Sequence, residues 1–148
     1  MSNKISINDY QPSDFEQIAN LWIATGLGNP LRGDNQQIVE QSLRLGGKLL
    51  VAKTLSGEVV GTSWITFDGR RLHLHHFGVH PSYQRQGIGD RLTVESLRFA
   101  KQKGYQIKLE VHQSNTAAIA LYKKHGFAFL GDYDVYIVRD IEGIGLNE

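Results

Sequence analysis

The chain has no cysteine and only three prolines. The first absence excludes disulfides, thiolate metal sites and cysteine nucleophiles, and it fits a reducing compartment, so the cytoplasm is the expected location. Met1-Ser2-Asn3-Lys4-Ile5 lacks the apolar core of a signal peptide. No run approaches the roughly 20 apolar residues that cross a bilayer, so no membrane partner is expected. Charge of one sign is missing too. Sixteen Lys and Arg stand against 15 Asp and Glu, a net +1, so no global field recruits nucleic acid. Any anion binding must come from a local arrangement.

At 148 residues the chain has the size of one domain with a real core, and residues 1–148 are read as one unit. Ile5 and Ile7 alternate with polar neighbours, as in a short strand. Pro12-Ser13-Asp14 opens a helix with Phe15, Ile18, Ala19 and Trp22 at helical spacing. Three glycines and a proline make residues 25–34 a loop, and a second helix runs over 35–44. Strand-like runs follow at 48–53, 59–67 and 71–79, separated by Ser56-Gly57 and Asp68-Gly69. Asp-Gly is a strong hairpin signal, so these form an antiparallel meander. A helix from the Gly87/Gly89 loop to Lys103 carries Ile88, Leu92, Phe99 and Ala100 on its inner stripe, with Gly104 as its C-cap. Ile107, Leu109 and Val111 alternate with Lys108, Glu110 and His112 as a strand with two unlike faces. A helix over 116–124 and strands over 127–130 and 135–138 complete the pattern. The fold class is α+β, in the order βααβββαβαββ.

Gln84-Arg85-Gln86-Gly87-Ile88-Gly89 joins a strand to a helix. Glycines let backbone approach a ligand closely, and the first N–H groups of a helix lack partners. Such an end attracts phosphate, and Arg85 adds a full charge. Asp90-Arg91 after Gly89 rules out a Walker A loop, and Leu92 stands where a dinucleotide fingerprint needs a small residue. By itself the loop reads equally as a turn that starts a helix. Asn115 and Tyr122, seven residues apart, fall on nearly one helix face about 10 Å apart. Asn115 also suits an N-cap and Tyr122 a core tyrosine. A phenol of pKa about 10 can nonetheless protonate a departing thiolate.

Two blocks carry a family resemblance. Residues 79–89, Val-His-Pro-Ser-Tyr-Gln-Arg-Gln-Gly-Ile-Gly, resemble the acetyl-CoA motif of the GNAT superfamily of N-acetyltransferases, a V-x-P strand end followed by [QR]-x-x-G-x-[GA]. Residues 109–127 resemble its second signature, N-x-x-A-x-x-x-Y-x-x-x-G-F, starting at Asn115. Leu109-Glu110-Val111, with Glu110 twelve residues before Tyr122, is similar to the ribosomal-protein N-terminal acetyltransferases. The match spans 75–130; upstream only the element order agrees.

The resemblance implies a splayed central sheet flanked by helices, with pantetheine pairing to the backbone at Phe77, Gly78 and Val79. Pyrophosphate would sit on the amides of Gln84, Arg85, Gln86, Gly87, Ile88 and Gly89. Asn115 would touch the pantetheine and Tyr122 would face the sulfur. The cosubstrate is acetyl-CoA. A free amine, from a protein or peptide or from a small molecule, attacks the thioester directly. Glu110 is the matching general base and Tyr122 the general acid. His73, His75 or His76 could take the base's place, since histidine titrates near neutrality. Clustered as they are, these histidines lack a carboxylate partner in sequence, so no metal is expected. Members of the family are often dimers. The alternative to an enzyme is a non-catalytic acetyl-CoA-binding module. Acceptor selectivity is expected from Trp22, Leu27, Arg32, Asp34, Tyr133 and Tyr136.

Overall fold

Two sequence runs rich in Val, Ile, Leu and Trp, each followed by a glycine turn, and a third rich in His form the centre of the sheet. A computed structural model describes residues 4–28 and 33–146. The strands are β1 (Ile5–Asp9), β2 (Lys48–Thr54), β3 (Val59–Phe67), β4 (Leu72–Val79) and β5 (Ile107–Leu109). They lie in the order β1-β2-β3-β4-β5, antiparallel except for the parallel β4/β5 pair. The β3–β4 turn forms at Asp68-Gly69, where Gly69 takes φ +90°. The Asp68 carboxylate accepts the N–H groups of Arg70 and Arg71 at 2.7 and 2.6 Å. Those backbone bonds hold its pKa down at about 2.

Four α-helices flank the sheet: α1 (Phe15–Thr25), α2 (Gln36–Arg44), α3 (Ile88–Lys103) and α4 (Thr116–Lys124). Pro12–Asp14 form a 3-10 turn that leads into α1, and Gly26 ends α1 in the left-handed conformation. Asn35 caps α2 by accepting the Ile38 N–H at 2.9 Å. One face of the sheet packs α1 and α2 through Ile18, Trp22, Val39, Val51 and Trp64. The other packs α3 through Leu50, Val60, Ile88 and Leu92, and α4 through Leu74, Ala100 and Tyr122. Ser96 and Thr93 are buried on α3 despite their hydroxyls. Ser96 Oγ lies 2.7 Å from Ser63 Oγ, and Thr93 Oγ1 donates to the Gly89 carbonyl, so both are satisfied.

The α+β class and the meander stand, but the last two expected strands do not form. Residues 127–146 contain no strand. Phe129, Tyr133, Val135, Tyr136, Ile137 and Val138 are all exposed. A strand needs a ladder partner as well as the right side chains. Tyr133 N–H bonds the Leu130 carbonyl in a local turn instead. Residues 29–32 of the expected loop, with Arg32, lie outside the described residues.

Candidate active site

β4 is eight residues long and β5 three, and they pair only through Leu72↔Ile107, His73↔Lys108 and Leu74↔Leu109. Beyond Leu74 the two chains part. From His75 to Val79 the β4 edge facing β5 has no ladder partner. A cavity of about 300 Å³ opens in this gap, and Phe77, Glu110, Asn115 and Tyr122 line it. Four residues predicted from sequence for cofactor and chemistry therefore meet at one place. Gly78 and Val79 continue the same β4 edge.

Opposite β3, β4 carries a bulge. Thr62 pairs with Gly78 and Trp64 with His75, so Ser63 faces both His76 and Phe77. His76 takes φ +43°, unusual for a residue with a side chain. Its ring lies against Trp22 and Trp64 at centroid distances of 4.5 and 5.0 Å. Its carbonyl accepts the Thr62 hydroxyl at 2.8 Å, and Thr62 Oγ1 accepts Trp22 Nε1–H at 2.9 Å. The bulge thus presents Phe77 and its successors differently from a regular strand. No residue periodicity marks it.

The glycine loop turns the chain sharply from β4 into α3. Pro81–Tyr83 make a 3-10 turn, and the Gln84 side chain donates to the Val79 carbonyl at 3.0 Å. Arg85 and Gly87 both adopt positive φ, +65° and +80°. Gly87 occupies the N-cap of α3 without any side-chain cap. The leading N–H groups of a 16-residue helix therefore point outward. A Cβ at Gly87 would meet nothing within 4 Å, so the requirement there is conformation rather than space. At Gly89 a Cβ would come within 3.2 Å of Leu121 Cδ2, because α4 packs closely on this end.

Asp90 in the first turn of α3 would oppose an anion if left bare. Its Oδ1 instead contacts Lys124 Nζ at 2.9 Å and His125 Nε2 at 2.8 Å. Those two bonds lower its pKa, and they tie the end of α4 to the start of α3.

Tyr122 sits 7% exposed, edge-on to Phe77 and Phe127 at 5.5 and 5.6 Å. Burial raises its pKa to about 12, so the phenol stays protonated at neutral pH. Asn115 caps α4 by accepting the Ala118 N–H at 3.2 Å, which points the helix and leaves the residue lining the cavity. Glu110 lies one residue past β5, exposed to the cavity. His75 reaches the same cavity and bonds Thr66 Oγ1 at 2.9 Å. Desolvation, then His76 and His73, lower its pKa, against smaller opposing pulls from Glu110 and Asp34. Burial therefore favours the neutral imidazole at His75. Tyr133 and Tyr136, expected near the acceptor, are exposed and absent from the cavity lining. Among the described residues no three His, Asp or Glu side chains converge as metal ligands, and no helix is long and apolar enough to cross a membrane.

The sequence profile of the acetyltransferase (GNAT) family matches residues 15–127. An acetyltransferase of Sodalis glossinidius (strain morsitans) is 31% identical over 121 residues, 81% of this chain and 84% of that protein. The chain belongs to the GNAT acetyltransferase family and is an N-acetyltransferase. A GNAT acetyltransferase of Elizabethkingia anophelis, solved with acetyl-CoA bound, superposes with a TM-score of 0.59 at 25% identity, over 84% of this chain and 76% of that one. Acetyl-CoA is the cosubstrate. Two further structures share the fold. One is an aminoglycoside N-acetyltransferase in complex with CoA, with TM-score 0.74, 18% identity and 94% and 97% of the chains covered. The other is a ribosomal-protein-alanine N-acetyltransferase of Brucella melitensis, with TM-score 0.68, 19% identity and 90% and 97% covered.

Proposed function

We propose that this protein transfers the acetyl group of acetyl-CoA directly to a primary amine, with Glu110 as general base and Tyr122 as general acid. The observation that carries the reading is the unpaired β4 edge from His75 to Val79, which opens onto a cavity shared by both side chains. Strand amides left without a ladder partner must bond elsewhere, and the two amides of pantetheine have the matching donors and acceptors. At the other end of that edge the uncapped start of α3 and the turned backbone of Arg85 and Gly87 suit the pyrophosphate.

The chemistry then needs three things from the chain. Glu110 takes one proton from the incoming ammonium, which frees the lone pair to attack the thioester carbonyl. Backbone N–H near Val79 stabilises the oxyanion that forms. As the C–S bond breaks, Tyr122 gives its proton to the sulfur, and the attacking nitrogen sheds its second proton to water, which leaves a neutral amide and the CoA thiol. Its raised pKa keeps that proton in place until the thiolate develops.

The acceptor is either a protein or peptide amine or a small-molecule amine. The fold neighbours include enzymes named for each kind. Turnover of acetyl-CoA across peptide N-termini, polyamines and amino sugars tests the proposal. Tight CoA binding with no transfer to any of them would overturn it.

A further inference from the structure

β5 and the residue after it carry two opposite charges on one face. Ile107 and Leu109 pack into the core with Leu72 and Leu74 of β4. Alternation therefore puts Lys108 on the other face of the sheet, together with His73, its partner across the ladder. Glu110, one residue past the strand, acts on His75 of that same face. At strand rise the Cα atoms of Lys108 and Glu110 lie roughly 7 Å apart. Both side chains are exposed, both line the cavity that holds Tyr122, and neither forms an ion pair among the described residues.

The charges around this pair are uneven. Glu110 is the one carboxylate lining the cavity among the described residues. Asp34 also acts on His75, but its Oδ2 faces His76 Nε2 at 3.1 Å. On the basic side stand Lys108, His73 and His112. An imidazole donates a hydrogen bond even when neutral. An acceptor with several cationic amines would set its second charge among these donors. One with a carboxylate close to its amine meets a partner for each. Nor does Lys108 serve the cofactor's phosphates. β4 and β5 run parallel, and Val79 lies six residues beyond His73, roughly 20 Å at strand rise. Lys108 stands at the closed end of the gap, away from the start of α3.

We propose that Lys108 is a specificity-determining residue that binds a carboxylate of the acceptor, so that this protein acetylates an amine carried within a few bonds of a carboxylate. A free acidic amino acid and an acidic peptide start both have that chemistry. The inference deepens the acetyl-transfer reading and rests on it. Glu110 receives the ammonium, and a charge-assisted hydrogen bond from Lys108 holds the other end. The transfer step itself is unchanged.

The test is acetyl-CoA turnover by wild type, Lys108→Gln, Lys108→Glu and Lys108→Arg in the full chain. Free L-glutamate and an otherwise uncharged, C-terminally amidated hexapeptide beginning with glutamate are the two sources of the carboxylate. Each has a neutral counterpart, the diamide of L-glutamate and the same peptide beginning with glutamine. Spermidine supplies a polycation. Wild type is expected to favour one of the carboxylates over its counterpart about tenfold in kcat/KM, and the one it favours identifies the source. Lys108→Gln should erase that preference and Lys108→Glu reverse it, with the KM for acetyl-CoA unchanged. Lys108→Arg should keep most of it. A preference for spermidine, or none for either carboxylate over its counterpart, overturns the inference. So does an equal loss on every acceptor in Lys108→Gln, because a lysine acting on Glu110 or on the fold would not discriminate among them. Transfer to other amines of a wider panel, with none to the two carboxylates, overturns it and leaves acetyl transfer standing. Silence toward every amine overturns both.

Discussion

Strand β3 and the tail at 127–146 are built from the same kinds of residue and end in opposite surroundings. β3 runs Val-Val-Gly-Thr-Ser-Trp-Ile-Thr-Phe, and its first seven residues are buried. The tail carries Phe129, Tyr133, Val135, Tyr136, Ile137 and Val138, with Phe129 86% and Tyr136 91% exposed. The difference lies in the neighbours. β3 has a ladder on each edge, α1 against one face and α3 against the other. The tail pairs with no strand among the described residues. Alternation of apolar residues fixes which face a strand would bury, while the partner has to come from the rest of the chain.

The largest expected effect separates these two regions by stability. Trp22→Ala removes a fully buried ring stacked on Trp64 at 5.5 Å and its bond to Thr62. Urea unfolding should show a loss of about 3–5 kcal/mol. Tyr136→Ala should move stability by less than about 0.5 kcal/mol. A loss above about 2 kcal/mol for Tyr136→Ala would mean that the tail is packed in solution and would break the comparison.

Next comes the end of the short strand. Glu110→Gln should lower kcat about 100-fold, while calorimetry finds acetyl-CoA affinity little changed. Full turnover in that variant would remove Glu110 from the chemistry. On the well-supported side of the site, Gly87→Ala puts a side chain at φ +80°. It should cost about 1–2 kcal/mol in stability and weaken CoA binding together with it. Unaltered CoA affinity would separate the α3 end from phosphate recognition.

The last comparison is a pH dependence. Burial raises the Tyr122 pKa from 10.0 to about 12. A group raised on folding keeps its full contribution below its unfolded value and loses it as pH climbs through the folded one. Wild type should therefore weaken relative to Tyr122→Phe between about pH 10 and 12, with no difference in slope below that range. A parallel pair of stability curves across that window would place the phenol in water.

Much of the architecture could be read from local chemistry. The Asp68-Gly69 hairpin, the Asn35 and Asn115 caps and the Gly104 helix end all appear where turn and cap preferences put them. The site was legible to the extent that its residues sit in two contiguous blocks. Asp34 and His76 were not legible as a pair. They are 42 positions apart, and each alone is an ordinary polar residue. Tyr133 and Tyr136 were expected near the acceptor on composition, and the unpaired tail leaves them outside the cavity.

The sequence alone determined the helices, the central meander and the glycine-rich start of α3, because each follows from side-chain period, glycine conformation or a cap within a few residues. Tertiary structure alone decided where β4 and β5 part, that β4 bulges at His76, and that two apolar runs at the end stay without a ladder. Those outcomes depend on which distant backbone edge is available to pair, and no single stretch of sequence carries that information.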